Sequence, residues 1–386
     1  MQYRTFGRLG WQVSALGFGA MRLPPLGSRG QIDEPEAQRM IRYAIDRGVN
    51  YVDTGWRYHD GHSEPFLGRA LSDGYRDKVY LATKLWWGEI HEPADFDRHL
   101  NEQLDRLQTD HLDVYLLHGM REQRWAHLRD MGVLEFAERA KADGRIRTLG
   151  FSFHDSLEVF RQVVDAYDDW GMCQIQYNFM NETHQAGTEG LEYAASKGIA
   201  TVIMEPLLGG RLVSPPAPIQ AIWDAAPVKR DPVDWAFSWL WNKPQVSLAL
   251  SGMSTMQHVK DNLRYADSAA IGALSDDDLA AVAQAQDAYQ SLTPVPCTTC
   301  GYCMPCPNGV DIPRNFSLLN GGVMYADLND GRQRYHMMPE EARASACIAC
   351  GECEIKCPQH IPISDWMPVV DEVLGQGKVF SPDMAP

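Results

Sequence analysis

Short apolar runs recur eight times between residues 15 and 251, and each is followed by a stretch with the spacing of an amphipathic helix. This repetition predicts β–α units and a parallel sheet. The predicted strands are Ala15–Gly19, Asn50–Asp53, Val79–Thr83, Val114–Leu117, Thr148–Phe151, Met172–Gln176, Ala200–Met204 and Ser247–Ser251. Eight units within about 250 residues favour a closed (β/α)8 barrel of the TIM type. Tyr3–Phe6 and Gln12–Ser14 predict a hairpin across the barrel floor.

Glycines mark three of the predicted joints between a helix and the next strand. Gly48, Gly144 and Gly198 each stand just before a strand, and glycine tolerates the left-handed conformation in which helices commonly end. The first helix is predicted to begin after Asp33, with Glu36 completing a capping box. An open Rossmann-type sheet is the alternative, although no G-x-G-x-x-G follows the first strand.

Eight of the nine cysteines fall in two short runs near the C-terminus. The runs are Cys297-x2-Cys300-x2-Cys303-x2-Cys306-Pro307 and Cys347-x2-Cys350-x2-Cys353-x3-Cys357-Pro358. The second spacing is the one by which bacterial ferredoxins place three thiolates on one [4Fe–4S] cluster and the fourth on a neighbouring cluster. The sequence therefore predicts two [4Fe–4S] clusters on these eight cysteines, with Cys306 and Cys357 as the crossed ligands. The first run has one residue fewer before its last cysteine.

Zinc and disulfides are the other common uses of paired cysteines. Structural zinc usually takes two pairs separated by a longer loop, whereas these cysteines follow one another at three-residue steps. Disulfides fit less well, because no apolar secretory segment follows Arg4 and Arg8. We therefore expect a reducing, cytoplasmic location, where thiolates favour metal.

The charge of the chain limits its partners. Its 51 acidic and 35 basic residues give a formal net charge of −16, which disfavours a nucleic acid or an anionic membrane surface, since phosphates bind basic faces. No apolar run approaches the roughly 20 residues of a membrane span. We expect a soluble protein with a small-molecule substrate and a redox protein as partner.

The pattern of the chain changes near residue 290. A helix capped by Ser275 is predicted to run to about Gln290, and Thr293-Pro294-Val295-Pro296 then breaks the helical pattern. We expect a barrel domain over residues 1–290. A smaller, mainly helical, ferredoxin-like domain is expected over residues 291–386.

Polar residues end three neighbouring predicted strands, where the chemistry of such barrels lies. They are Asp53, Lys84 and His118, and Tyr58 follows Asp53 on a loop. Reducing a carbonyl with hydride creates an alkoxide that needs a proton. Tyr58 is the predicted donor, with Lys84 nearby to lower the pKa of its phenol. Asp53 would hold that ammonium, and His118 would orient the carbonyl oxygen.

These four residues, in this order, resemble the catalytic tetrad of the aldo-keto reductases. The matching segments are D-T-G-W-R-Y-H-D-G-H-S-E at 53–64, A-T-K at 82–84, D-V-Y-L-L-H at 113–118, G-F-S at 150–152 and Q-I-Q-Y-N at 174–178. With its cysteine runs, the chain is similar to the ferredoxin-bearing branch of that family. The resemblance implies an oxidoreductase that reduces a carbonyl or oxidises an alcohol. Tyr58 would be its general acid/base, and the clusters would conduct electrons.

The resemblance also implies a nicotinamide cofactor, NADH or NADPH. The residues aligned with the cofactor contacts of the family are Ser152, Gln174, Met204, Leu207, Gly209, Arg211, Gly252, Ser254, His258 and Asn262. Phe153 takes the place of the family's carboxamide-binding Asn, and Met204 that of the aromatic residue stacking on the nicotinamide. The basic pair for the 2′-phosphate of NADP falls on Gly252 and His258.

Two clusters beside a hydride-transfer site raise a question of electron counting. A cluster passes single electrons, whereas a nicotinamide exchanges a hydride. A flavin such as FMN does both, and Arg211 could hold its phosphate. A flavin-dependent enzyme is therefore the first alternative. The others are an electron-transfer module with a vestigial barrel site, and clusters with a purely structural role.

Overall fold

The computed structural model describes residues 1–27 and 30–386. Packing groups them into two compact units. The first comprises Met1–Gly209 and Val233–Ser275, and the second comprises Gly210–Pro232 and Asp276–Pro386. The domain boundary at residue 290 stays a prediction, and the packing assigns the segment just before it to the second unit.

The described residues contain ten strands, all in the first unit. They are β1 Tyr3–Phe6, β2 Trp11–Ser14, β3 Leu16–Gly19, β4 Tyr51–Asp53, β5 Tyr80–Leu85, β6 Leu112–Met120, β7 Ile146–Phe153, β8 Trp170–Gln176, β9 Ala200–Met204 and β10 Val246–Ser251. Strands β3 to β10 pair in parallel in sequence order, and β10 closes the barrel on β3. The predicted (β/α)8 barrel is confirmed, and the alternative prediction of an open Rossmann-type sheet is wrong.

Helices alternate with the barrel strands and then continue into the second unit. They are α1 Glu34–Asp46, α2 Ser63–Ala70, α3 Ala94–Leu107, α4 Glu122–Asp130, α5 Val133–Ala142, α6 Leu157–Asp165, α7 Gly187–Ser196, α8 Ala217–Ala225, α9 Pro232–Trp241, α10 Met256–Ala266, α11 Asp276–Ser291, α12 Ile312–Met324, α13 Leu328–His336, α14 Glu352–Lys356 and α15 Ile363–Val370. No helix in the described ranges combines the length and apolar character needed to cross a membrane.

Local sequence signals explain where α1 begins and where several strands start. The Asp33 side chain accepts a hydrogen bond from the backbone N–H of Glu36, which satisfies one of the free donors at the start of α1. Gly48, Gly144 and Gly198 have φ angles of 98°, 85° and 72°. The chain can turn there because glycine lacks a Cβ.

The hairpin of β1 and β2 seals the amino-terminal end of the barrel. Phe6 and Val13 are fully buried in a core cluster with Tyr51, Val114 and Leu248 from three barrel strands. Burying these apolar side chains stabilises the closed end by about 1.5–3 kcal/mol each. The open mouth therefore lies at the carboxyl ends of the strands.

The second unit is built on helices, as predicted. Its apolar core includes Phe316 and Leu319 of α12 and Trp366 and Met367 of α15, all at most 5% exposed. Asn320 of α12 accepts from the backbone N–H of Val295 at 3.0 Å and donates to the carbonyl of Val295 at 2.8 Å. This pair of hydrogen bonds holds the segment that leads into the first cysteine run.

Candidate active site

A buried ion pair lies at the carboxyl ends of β4 and β5. Nζ of Lys84 is 2.5 Å from Oδ1 of Asp53, and it also donates to the backbone carbonyl of Thr54. Burial acts to lower the pKa of Lys84, but Asp53 and Tyr58 raise that pKa above its ordinary value. Lys84 therefore stays charged at neutral pH.

Tyr58 begins the short turn that follows β4, with its ring beside the Lys84 ammonium. Nζ of Lys84 lies 4.8 Å from the centroid of that ring. Removal from bulk water raises the pKa of Tyr58, and the charge of Lys84 only partly opposes this rise. Lys84 acts to lower the pKa of Tyr58, as predicted, but burial outweighs it, so the pKa lies above its ordinary value. The hydroxyl stays protonated at neutral pH and is available as a proton donor.

His118 stands at an irregularity near the end of β6. The register of β6 with β7 shifts between Leu117 and Met120, and Gly119 has a φ angle of 63°. Such a bulge redirects the side chains beside it. The ring centroids of His118 and Tyr58 lie 6.0 Å apart, edge to face. The structure thus brings the predicted tetrad together.

The imidazole of His118 is held in its neutral form. Burial lowers the pKa of His118 to about 3, with further lowering by Lys84, His154 and Arg124. Its Nδ1 is buried and has no hydrogen-bond partner among the described residues. A neutral imidazole has one N–H donor and one acceptor nitrogen, so His118 can donate a hydrogen bond to a carbonyl oxygen.

A buried polar network behind Lys84 was missed from the sequence. Oε1 of Glu64 accepts hydrogen bonds of 2.6 Å from both Thr83 and Gln103. Gln103 also donates to the backbone carbonyl of Lys84 at 3.1 Å. Nη1 of Arg106 lies 3.6 Å from Oε2 of Glu64. The network fixes the backbone that carries Lys84, which preserves the alignment of the ion pair.

Aromatic residues stand next to the tetrad. The Trp86 ring lies 5.4 Å from the His118 ring and 5.5 Å from the Trp87 ring. The backbone N–H of Trp86 donates to Nε2 of His99 at 3.1 Å, which fixes the start of this loop. The guanidinium of Arg57 lies 5.1 Å from the centroid of the Trp86 ring. These rings form an apolar wall beside His118.

Two predicted cofactor residues lie near His118 at the ends of β7 and β8. Oε1 of Gln174 is buried without a hydrogen-bond partner within the described ranges, so it can accept from a carboxamide NH₂. Oγ of Ser152 accepts from the backbone N–H of Gly119 at 2.7 Å, and its hydroxyl proton remains available. Phe153 packs 5.1 Å from Phe160 of α6. It therefore faces the helix layer, and its apolar ring offers no hydrogen bond to a carboxamide.

The next predicted cofactor residues follow β9. Met204 and Leu207 are half-buried, and Gly209 is exposed. Arg211 belongs to the second unit, where its guanidinium forms an ion pair with Asp330 and lies 5.5 Å from the Tyr325 ring. Its predicted phosphate-binding role stays a prediction, and this arginine already has a carboxylate partner.

The last predicted cofactor residues follow β10. Gly252 and His258 are exposed, and Ser254 is half-buried. Asn262 is buried, and its Nδ2 donates to Oγ of Ser251 at 2.9 Å. The amide of Asn262 is therefore engaged with a neighbouring side chain inside the fold. Of these four predicted cofactor residues, Gly252, Ser254 and His258 are accessible to a ligand.

Arg22 is a basic residue near this group that was missed from the sequence. A Cβ placed on Gly252 would lie 3.0 Å from Cβ of Arg22, and one placed on Gly209 would lie 3.7 Å from its Nη2. The exposed Arg22 side chain therefore extends along Gly252 toward Gly209. The pairing of β9 with β10, and of β10 with β3, brings these positions together, so no local sequence pattern could predict them.

The eight clustered cysteines line two cavities in the second unit. One cavity is lined by Cys297, Cys300, Cys303 and Cys357. The other is lined by Cys306, Cys347, Cys350 and Cys353. Each cavity thus receives three cysteines from one run and the last cysteine from the other. Four thiolates around one cavity fit the ligand set of a [4Fe–4S] cluster.

The two runs fold into similar turns around their first cysteines. The backbone N–H of Thr299 donates to Sγ of Cys297, and that of Ala349 donates to Sγ of Cys347, each at 3.4 Å. Within the described residues, no three His, Cys, Asp or Glu side chains converge on one metal ion. A four-iron cluster needs no such convergence, because each thiolate binds a different iron.

Comparisons with known proteins match both parts of the chain. A family model described as "Aldo/keto reductase family" matches residues 15–221, which is more than half of the chain. A second model, described as "4Fe-4S dicluster domain", matches residues 296–361. The two matches do not overlap.

Similar curated proteins include enzymes of bacteria and plants. Aldo-keto reductase YhdN of Bacillus subtilis is 30% identical over 226 residues, covering 55% of this chain and 64% of YhdN. L-galactose dehydrogenase of Arabidopsis thaliana is 27% identical over 286 residues, covering 68% of this chain and 87% of the plant enzyme.

Two solved structures share the fold. Aldo-keto reductase AKR11C1 from Bacillus halodurans in its holo form is 25% identical with a TM-score of 0.62, covering 74% of this chain and 96% of the other. An aldo/keto reductase from Klebsiella pneumoniae in complex with NADP and acetate is 25% identical with a TM-score of 0.59, covering 73% and 94%.

Proposed function

Because the chain belongs to the aldo/keto reductase family and carries a 4Fe-4S domain, we propose that this oxidoreductase reduces a carbonyl compound, or oxidises the corresponding alcohol, at the barrel mouth. The observation that supports this is the convergence of Asp53, Tyr58, Lys84 and His118. A charged amine beside a protonated phenol is the arrangement that general acid catalysis needs.

Tyr58 supplies the proton in this proposal. The substrate oxygen accepts hydrogen bonds from Tyr58 and from the neutral ring of His118, which orient the carbonyl. As negative charge grows on that oxygen, the Tyr58 hydroxyl transfers its proton, and the ammonium of Lys84 stabilises the resulting phenolate. Asp53 keeps the ammonium in place. The carbonyl carbon gains a hydride and the oxygen gains a proton, which gives the alcohol.

Gln174 and Ser152 are proposed to hold a nicotinamide cofactor at its carboxamide. A bound reduced nicotinamide would supply the hydride. The unpartnered Oε1 of Gln174 supports this assignment, as does the NADP bound by the Klebsiella relative. Met204, Leu207, Gly209, Gly252, Ser254 and His258 are proposed to contact the rest of the cofactor, with Arg22 near its phosphates. The buried Asn262 would support them through Ser251.

Two [4Fe–4S] clusters are proposed as an electron conduit to a redox protein. Each would be held by four cysteines, with Cys306 and Cys357 crossing between the runs. A reducing compartment keeps such cysteines from forming disulfides, so a cytoplasmic location is part of the proposal. Because clusters carry single electrons, a flavin is the second candidate for the barrel. Phe153 favours it, since the family's carboxamide-binding Asn is replaced by a side chain that faces away from the mouth.

The test is made on the full chain purified without oxygen. We expect about eight irons per chain, and oxidation of NADPH or NADH that depends on an added aldehyde. The supernatant after denaturation should lack flavin absorption at about 370 and 450 nm. Released flavin, with no turnover of either nicotinamide, would favour the second candidate. Intact clusters without turnover under any donor would refute the carbonyl chemistry.

A further inference from the structure

Arg124 occupies a position next to the proposed catalytic centre that its sequence context did not reveal. It lies in the first turns of α4, and its Nη1 donates to the backbone carbonyl of Gly119 at 2.8 Å. Gly119 directly follows His118. This hydrogen bond uses one N–H group of the guanidinium and leaves the other N–H groups available to a ligand.

An aromatic wall connects Arg124 to the tetrad. The guanidinium carbon of Arg124 lies 4.9 Å from the centroid of the Trp87 ring. Trp87 in turn contacts Trp86, whose ring lies 5.4 Å from that of His118. A molecule whose carbonyl oxygen is at His118 can therefore extend along this wall toward Arg124.

A second arginine, Arg121, lies close to Arg124 in a strongly acidic chain. Burial lowers the pKa of Arg124, and the positive charge of Arg121 lowers it further. In the part of the chain that the structure describes, neither Arg121 nor Arg124 forms an ion pair with a carboxylate. Arg129 of the same helix does, with Asp130 at 2.9 Å. Two neighbouring arginines that are not engaged in ion pairs are a favourable place for an anion.

We propose that the substrate carries a carboxylate, which binds Arg124 while the carbonyl lies at Tyr58 and His118. The inference rests on the proposed function and specifies its substrate class. The guanidinium fork matches a carboxylate with two parallel hydrogen bonds, and its stacking on Trp87 fixes the orientation of the fork. Arg121 adds long-range attraction for the same group.

Equilibrium binding tests the proposal without relying on turnover, because no cofactor is added and the alcohol probes stay unchanged. By isothermal titration calorimetry at low salt, 4-(hydroxymethyl)benzoate is compared with its methyl ester, which has a similar shape and no charge. We expect the wild-type protein to bind the carboxylate at least about 10-fold more tightly. Arg124→Gln should remove most of that preference, and Arg124→Lys should retain part of it. Arg129→Gln, which removes the same charge from the outer end of α4, should preserve the preference.

Equal binding of acid and ester by the wild-type protein, or no binding of either, would overturn the proposal. Tighter binding of 4-(hydroxymethyl)phenyl phosphate than of the carboxylate would overturn it too, because the site would then be built for phosphate. Circular dichroism of Arg124→Gln and Arg124→Lys checks that both variants are folded.

Turnover separates this proposal from the proposed function. The ratio of kcat/KM for 4-carboxybenzaldehyde over its methyl ester should fall about 10- to 100-fold in Arg124→Gln. If wild-type protein reduces both aldehydes equally well and shows no binding preference, the carboxylate site is refuted and the carbonyl chemistry stands. If neither aldehyde reacts but the acid binds selectively, the carbonyl chemistry is refuted and the carboxylate site stands.

Discussion

The ammonium group of Lys84 lies 2.5 Å from Oδ1 of Asp53, and the two side chains are only 1% and 3% exposed. Removing one partner of such a buried pair leaves an uncompensated charge, whereas removing both does not. The pair therefore constrains the stability of the barrel as well as its chemistry.

We expect Lys84→Met to lower the free energy of unfolding by about 3–5 kcal/mol. The double variant Asp53→Asn with Lys84→Met should lose less than Lys84→Met alone. Lys197→Met removes an exposed partner of Asp165 and serves as the control, with a much smaller expected loss because exposed ion pairs contribute little. Urea unfolding followed by tryptophan fluorescence measures all three. A double variant less stable than Lys84→Met would contradict the pairing argument.

Tyr58→Phe removes the proposed proton donor and leaves the ring in place. Turnover of an aldehyde should fall by about 10²- to 10⁴-fold, because general acid catalysis typically contributes that much. Steady-state kinetics give kcat, and cofactor titration shows whether binding is kept. Tyr75→Phe, which removes a hydroxyl bonded to Asp46 on the outside of the barrel, is the matched control. Full turnover by Tyr58→Phe would exclude the tetrad mechanism.

The depressed pKa of His118 predicts a loss of stability in acid. The unfolded chain binds a proton at this histidine near its ordinary value of 6.5, whereas burial keeps the folded-state pKa at about 3. Stability is therefore complete above about pH 6.5 and decreases as the pH falls toward 3, by about 1.4 kcal/mol per pH unit.

His118→Asn should abolish this contribution. The drop in unfolding free energy between pH 7 and pH 5 should be about 2 kcal/mol smaller in the variant than in the wild-type protein. His91→Asn, which changes an exposed histidine outside the site, is the matched control. Identical pH dependences of the wild type and His118→Asn would show that His118 is not held neutral by the fold.

The sequence predicted those features that local patterns encode. The eight strands, the cap of α1 at Asp33 and the polar strand ends at Asp53 and Lys84 all follow from periodicity within short windows. Arg22 and Gln103 contact residues that are distant in the sequence and are brought close by strand order and helix packing. No short stretch of sequence contains both partners of such a contact. The pKa of Tyr58 depends on how far its burial outweighs the charge of Lys84. The sequence does not give that burial, which depends on the packing of the folded chain.

Arg22→Gln should weaken cofactor binding by about 10-fold, since a charge-assisted hydrogen bond to phosphate contributes roughly that much. Direct titration of NADPH fluorescence on the protein measures the Kd independently of turnover. Arg47→Gln removes an arginine that stacks on Tyr43 on the barrel surface and is the control. An unchanged Kd in Arg22→Gln would remove Arg22 from the cofactor site.

The division of the cysteines between two cavities predicts which pairs of substitutions spare a cluster. Cys306→Ala with Cys350→Ala should damage one cluster and leave about four irons. Cys306→Ala with Cys300→Ala should damage both clusters and leave fewer. Iron analysis and EPR of the reduced protein distinguish the two results. If the second double variant retained an intact cluster and the first did not, each run would bind its own cluster and the crossing would be disproved.

Helix α8 lies between β9 and β10 in the sequence, yet it packs against α11 within the second unit. That unit is therefore discontinuous in the chain. A fragment cut at residue 291 would contain every clustered cysteine and would still lack two of the unit's helices. Grafting the C-terminal segment onto another barrel would not transfer the unit, because its first helix would have to be inserted ahead of the final barrel strand.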